Sequence, residues 1–227
     1  MHEQLFQRVL ERVRVIFSGV RGGHDLDHTM RVYVNACKIA GMELPSDDEE
    51  SLRIVRFAAL LHDCARPEEL ASSGKICHAE LGAEKAVDIL RKCGCTDSTF
   101  IQLISDCIRT HRYRNQIRPA TWEAKVVYDA DKLDSIGAFG IARAFYFAGR
   151  IGAVIHNTDQ EALSGKEYSR QDSAYREYLV KLKDLPAQLQ TESAKKIAGE
   201  RCIFMQHFFE QMNREAGYLP LSSEESL

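Results

Sequence analysis

Apolar residues in this chain recur at intervals of three and four, and no stretch alternates strictly between apolar and polar. That pattern predicts amphipathic helices and no sheet. The first helix is expected over about residues 3–18, ending at Ser18-Gly19, with Gly22-Gly23 as a loop. Asp25 and Asp27 introduce a second helix that runs to Gly41, where acidic residues suit the positive helix end. A third runs from Asp48 to His62, and its stretch from Ile54 to Leu61 is apolar nearly all round, so it is expected to be central. Further helices are predicted over about 78–93, stopped by Gly94, over about 97–112, and from near Thr121 through Asp131. Residues 150–170 are polar and read as a long loop, a class of segment that often carries function. A last helix is expected over about 187–214, with Ile197, Phe204, Met205, Phe208, Phe209 and Met212 as its apolar content. The tail from Ser222 is expected to fray. The five prolines all fall near the edges of periodic segments, which keeps the fold class all-α.

The histidines stand out against this pattern. Positions i, i+4, i+8 and i+11 share one helix side. His28 lines up with Val32, Ala36, Ile39 and Ala40, so it points to the core side. His62 closes the most apolar helix and is followed by Asp63. His78 aligns with Leu81, Gly82, Ala86, Ile89 and Leu90, and His111 aligns with Phe100, Ile104, Cys107 and Ile108. One histidine on an apolar face is ordinarily a satisfied core residue. Four helices that each carry one share a simpler explanation, a metal site inside a helical bundle. Imidazoles together with carboxylates suit borderline or harder divalent ions, and a buried carboxylate needs a partner of that kind.

Composition narrows the choice of partners. Lys and Arg number 30 against 33 Asp and Glu, a formal charge of −3, so the basic excess of a nucleic-acid-binding surface is missing. No apolar run reaches the roughly 18 residues of a membrane span. The opening MHEQLFQRVLERVRVIF lacks the unbroken apolar core and cleavage site of a signal peptide. Seven cysteines without a C-x-x-C pair read as reduced thiols, which points to a cytoplasmic protein. No P-loop or dinucleotide-binding glycine motif occurs.

The order His28, His62-Asp63, His78, His111, Asp131, in the phrases HDLDHTMRVYVNACKIA, AALLHDCAR, HAELGAEKAVDIL, CIRTHRY and VVYDADKLDSIGAFGIARAF, resembles the HD-domain phosphohydrolase superfamily. The likeness is greatest to small stand-alone bacterial HD hydrolases, some of them nucleoside triphosphate pyrophosphohydrolases, and it covers about residues 5–150. It implies a single HD-domain unit over residues 1–227, with a motif-bearing core of about 20–150 and a helical extension of about 170–215. It implies a divalent ion (Mn, Mg, Co, Ni, Fe or Zn) held by His28, His62, Asp63 and Asp131. Asp129 is a rival to Asp131, but two residues apart means about 200° of rotation, and Asp131 shares its face with Val127 and Asp134. Asp129 is then expected in a helix-end or supporting hydrogen-bonding role. Asp63, His78 and His111 are the implied catalytic group. In dinuclear members the last two bind a second ion, and in mononuclear members they can face the substrate phosphate. The cations nearby favour the substrate-facing role.

Those cations are the expected substrate contacts: Arg31, Lys75, Arg109, Arg112 and Lys132, with Arg114 and Arg118 extending the cluster after His111. Some mononuclear members carry an acidic residue three positions after the HD aspartate. Here Arg66 stands there, and the sequence does not aim Glu68 or Glu69 at the site. His24 reads as mouth or surface, His2 and His207 receive no role, and His156 receives none beyond its place in the polar loop. The expected activity is metal-dependent hydrolysis of a small phosphorylated substrate, specifically release of pyrophosphate from a nucleoside triphosphate. A cyclic nucleotide phosphodiesterase and a metal- or nucleotide-binding sensor without turnover are the alternatives. The absence of a Gly-Tyr-Pro phrase in HRYRNQIRP counts against a cyclic dinucleotide. No membrane or nucleic-acid partner is expected, and a homo-oligomer is left open.

Overall fold

The computed structural model describes residues 2–20, 22–45, 47–112 and 118–218, and these are helical without a strand. Arg114 and the tail from Ser222 lie outside the described residues. The chain divides into two compact units, residues 1–134 with 190–194, and residues 135–189 with 195–227.

Among its described residues the first unit holds seven helices: α1 (His2–Ile16), α2 (Leu26–Glu43), α3 (Glu49–Leu61), α4 (Arg66–Ala71), α5 (His78–Lys92), α6 (Ser98–Thr110) and α7 (Trp122–Leu133). Four of them start at a side-chain cap. Asp25, Asp48, Asp97 and Thr121 accept the backbone N–H of His28, Ser51, Phe100 and Ala124, each worth about 1 kcal/mol. α3 is the central helix. Ile54, Val55 and every residue from Phe57 to Leu61 are buried, and α1, α2, α6 and α7 all pack on it. Phe57 meets Phe6 edge-on with ring centres 5.4 Å apart and Phe100 likewise at 5.4 Å, geometries that favour aromatic pairs. α4 is too short for helical periodicity to reveal. It starts with Pro67 in its first turn, a position where the missing N–H costs nothing.

The second unit contains α8 (Gly137–Arg150), α9 (Asp159–Ser164), α10 (Ala174–Val180), a 3₁₀ helix (Leu182–Gln188) and most of α11 (Glu192–Glu215). Residues 150–170 are therefore not one long loop. Thr158 and Glu161 form a reciprocal capping box that starts α9 inside the segment. Asn157 binds Gln171 and accepts a hydrogen bond from Ser173 at 2.6 Å. His156 binds Asn213 at 2.7 Å, and Asn213 in turn donates to the Tyr175 hydroxyl. The final helix starts later than residue 187 because the chain from Leu182 to Gln188 winds as a 3₁₀ helix with Pro186 inside it. Phe209 is the centre of this unit's core, stacked on Tyr178 with ring centres 4.6 Å apart. Phe204, expected in the apolar face, is half exposed. Gly140 permits close packing: a Cβ there would lie 2.3 Å from the Ser135 carbonyl oxygen. No helix of the described residues is long and apolar enough to cross a membrane. All seven cysteines are free thiols, and Cys64 and Cys107 are buried in the core, where burial pushes each thiol up to about 12.

Candidate metal centre

Every member of the cluster belongs to the first unit. The Asp25 cap places His28 in the first turn of α2, fully buried. α3 ends at Leu61, and a tight turn follows, in which the Cys64 N–H donates to Leu61 and the Arg66 N–H to Asp63, at 3.0 and 2.8 Å. That turn directs His62 and Asp63 together into the interior, 0% and 1% exposed. His78 is the first residue of α5, His111 the residue that ends α6, and Asp131 lies in the last turn of α7.

Four imidazole Nε2 atoms converge on the Asp63 carboxylate. His28 and His62 lie 3.5 and 3.7 Å from its Oδ2. His78 and His111 lie 3.3 and 3.7 Å from its Oδ1. The two rings of each pair also meet, with Nε2 atoms 3.4 Å apart for His28 and His62 and 3.1 Å apart for His78 and His111. Asp131 Oδ1 is 3.5 Å from His28 Nε2. Two atoms bound tetrahedrally to one ion at about 2.1 Å lie roughly 3.4 Å apart. The spacings of His28 to His62, Asp63 and Asp131, and of His62 to Asp63, are close to that size.

The hydrogen bonds behind the rings fix which nitrogen is bare. His28 Nδ1 donates to Asp134 Oδ2 at 2.7 Å, His62 Nδ1 to the Ala59 carbonyl at 2.8 Å, and His111 Nδ1 to the Ile108 carbonyl at 2.6 Å. His78 Nδ1 faces Glu69 Oε2 at 2.9 Å. With Nδ1 as donor in His28, His62 and His111, Nε2 is the nitrogen left to face Asp63, and His78 Nδ1 also lies 3.0 and 3.3 Å from the Nη1 atoms of Arg66 and Arg112. Outer hydrogen bonds of this kind orient metal-binding histidines. Asp63 Oδ1 is buried and receives no hydrogen bond, a costly state for a carboxylate unless a cation is held beside it. The residues therefore fit a divalent ion.

Electrostatics separate the rings. Burial on its own would lower His28, but its bonds to Asp131, Asp134 and Asp63 outweigh this and raise its pKa to about 10. His62 has no such support, and burial lowers it to about 4. Burial likewise lowers His78 to about 3. For Asp63 burial acts upward and is overcome by His62, Arg66, His111 and His24, so the carboxyl sits well below its usual range. Asp131 is held low in the same way, burial being outweighed by Lys132 and His28.

The other expected residues take distinct places. Asp129 turns away and accepts the backbone N–H groups of Gln190 and Thr191 and the Thr191 hydroxyl. Lys132 lies 3.0 Å from Asp131 Oδ2. Arg31 is engaged by Asp134, at 2.6 and 3.0 Å, so it braces the carboxylate behind His28. Arg112 reaches Glu69 beside His78. Lys75 and Arg118 are exposed, and Arg109 is half-buried in the last turn of α6. His24 stands at the mouth, its Nδ1 3.0 Å from Asp63 Oδ2. Three site residues were not assigned from the sequence: Arg66, Glu69 and Asp134. Only Asp134 left a signal, its shared helix face with Asp131.

The chain is similar to a family model and to several known proteins. A family model described as the HD domain matches residues 25–136. Over 211 residues the chain is 31% identical to the uncharacterized protein YpgQ of Bacillus subtilis, covering 89% of each. Among solved structures, a predicted HD superfamily hydrolase from an uncultured Thermotogales bacterium is 31% identical with a TM-score of 0.65, over 92% of this chain and 91% of that one. Bacillus subtilis YpgQ in complex with ADP is 29% identical with a TM-score of 0.67, over 94% and 96%. An HD-superfamily hydrolase from Bacillus thuringiensis is 26% identical with a TM-score of 0.73, over 96% and 100%.

Proposed function

The chain belongs to the HD-domain superfamily of metal-dependent phosphohydrolases, and we propose that it hydrolyses a nucleoside triphosphate to the monophosphate and pyrophosphate. The observation that carries the reading is Asp63, a buried carboxylate faced by four imidazole Nε2 atoms and lacking a hydrogen bond on Oδ1. His28, His62, Asp63 and Asp131 would hold the ion. When bound, a divalent ion lowers the pKa of an attacking water and withdraws charge from the phosphoryl group. Asp134 and the Ala59 carbonyl keep the two ring lone pairs aimed inward. Lys132, at the edge of the cluster, is positioned to neutralise a phosphate oxygen. The nucleotide is supported by the relative YpgQ, whose structure holds ADP.

A second reading, hydrolysis of a cyclic nucleotide phosphodiester, is favoured by the trio of Asp63 Oδ1, His78 and His111, whose donor atoms lie within 4.8 Å of one another. Two adjacent ions clamp both the attacking and the leaving oxygens of an in-line displacement.

Incubating the purified protein with nucleoside triphosphates and cyclic nucleotides, each with Mn²⁺, Mg²⁺, Co²⁺ or Ni²⁺, tests both. Monophosphate and pyrophosphate in equal amounts are the expected products. Release of orthophosphate alone would move the cut to another bond, and turnover of only the cyclic substrates would select the second reading. Nucleotide binding without turnover under all four metals would leave a sensor.

A further inference from the structure

We propose that Arg66 and Arg112, held side by side by Glu69, form a paired-guanidinium clamp for a second, non-reacting phosphate group of the substrate. The inference rests on the phosphohydrolase reading, and it is independent of the ion count. Arg66 opens α4, Glu69 follows one turn later, and Arg112 comes just after α6. The Glu69 carboxylate is divided between them: Arg66 Nη1 donates to Oε2 and Arg112 Nη1 to Oε1. Glu69 itself is only 6% exposed, while the arginine side chains are 15% and 20% exposed. The anion is thus on the inside and the two forks are at the solvent margin.

Arg66 is shared between Glu69 and Asp63, whose Oδ2 lies 3.5 Å from its Nε, so what the pair offers an anionic ligand at that margin is fork geometry rather than a net charge. The donors are also incompletely used. Arg66 Nε is buried and has no hydrogen-bond partner. The contacts of Arg112 with described residues run through Nη1. Arginine forks match phosphate oxygens in a way a lysine ammonium does not.

Position separates the clamp from the reacting centre. Arg66 Nε lies 3.5 Å from Asp63 Oδ2, adjacent to the metal ligands. Arg112 is further out, next to the Cys77 thiol and on the Nδ1 side of His78. A phosphoryl group at the metal ligands would be met by a divalent ion held there and by Lys132. The arginine pair continues from there toward solvent, which suits the next phosphate of a phosphoanhydride chain. Glu69 acts as a positioning residue: its charge keeps two mutually repelling cations together, and the Arg66 bond and His78 outweigh burial to hold its own carboxyl at about 2.

The test is calorimetric titration of the metal-loaded protein, at fixed free Mn²⁺, with methylenediphosphonate and with methylphosphonate. The first presents two phosphate-like groups that cannot be hydrolysed apart, and the second presents one. Arg112→Gln is expected to weaken methylenediphosphonate by about 10- to 100-fold and methylphosphonate by less than about threefold. Arg112→Lys should fall between, since it keeps the charge and loses the fork. Glu69→Gln should weaken methylenediphosphonate as well, and Glu69→Gln combined with Arg112→Gln should be no worse than Arg112→Gln alone by more than about threefold, because the residues act as a unit. Equal losses for both probes, additive losses in the double variant, or wild-type affinity in Arg112→Gln would overturn the clamp. Neither probe requires turnover. Selective diphosphonate binding by a protein that hydrolyses nothing would uphold the clamp and defeat the phosphohydrolase reading.

Discussion

His28 Nδ1 lies 2.7 Å from Asp134 Oδ2, across 106 residues of sequence. The same carboxylate is gripped by Arg31. This pairing decides which nitrogen of His28 is bare, and so whether the ring can serve as a ligand at all. Removing it in Asp134→Ala should leave the apolar core intact and reduce divalent-metal affinity by about 10- to 100-fold. Competition against a fluorescent chelator measures the change. Affinity within about twofold of wild type would show that His28 is oriented by packing alone.

The proton on His28 sets a pH dependence. In the metal-free protein its pKa is raised to about 10, so at neutral pH it carries a proton that a metal must displace. Metal binding should therefore release one proton, and affinity should rise about tenfold per pH unit from pH 6.5 to 8.5. His62 and His78, lowered to about 4 and about 3, add nothing in that window. Stability of the metal-free protein runs the other way. A pKa raised above 6.5 contributes stability that is complete below 6.5 and is lost as pH rises through about 10. Chelator-treated protein should melt at falling temperature over that range. Metal affinity that is flat with pH would contradict the assignment of His28 as a charged, displaceable partner of three carboxylates.

Asp129 and Asp131 are two residues apart and meet different partners, the Gln190–Thr191 backbone and the His28 ring. Asp131→Asn should abolish tight metal binding with little change in melting temperature. Asp129→Ala should retain the metal and lose stability, because the buried Thr191 N–H and hydroxyl lose the acceptor that Asp129 gives them, at about 1–3 kcal/mol for a buried group left unsatisfied. Thermal melts paired with elemental analysis check both. Loss of metal in Asp129→Ala with Asp131→Asn unaffected would exchange the two roles.

How much of this was legible follows from what periodicity can carry. His28, His78 and His111 lie on helices of 13 to 18 residues or at their ends, long enough for the apolar face to be read and the ring assigned to it. The caps at Asp25, Asp48, Asp97 and Thr121 announce themselves by residue type. Arg66 and Glu69 belong to a six-residue helix, too short for a face to appear, and their meeting with Arg112 joins positions 43 residues apart. α9 was hidden for the same reason, its capping box lying in a segment rich in turn-forming residues. Arg31 was legible as a cation near the motif, but its commitment to Asp134 is a tertiary pairing that no local pattern encodes.

The number of ions turns on the Oδ1 side of Asp63. The cations beside His78 first favoured a substrate phosphate there over a second ion. Arg66 and Arg112, however, approach His78 at Nδ1, 3.0 and 3.3 Å away, while Nε2 faces Asp63 Oδ1 at 3.3 Å. On that inner side two ring nitrogens and a carboxylate oxygen converge, and all three are acceptors in the tautomer whose Nδ1 protons go to Glu69 and the Ile108 carbonyl. A phosphate oxygen would add a fourth acceptor and only increase the repulsion. A cation removes it, and a proton is disfavoured because burial, His111 and Arg66 keep His78 neutral, at about 3. We therefore expect two divalent ions per chain at saturating metal, with one remaining in His78→Ala and in His111→Ala. Elemental analysis of the three proteins after gel filtration decides it. One ion in the wild type, retained in both variants while turnover falls, would return His78 and His111 to the substrate phosphate.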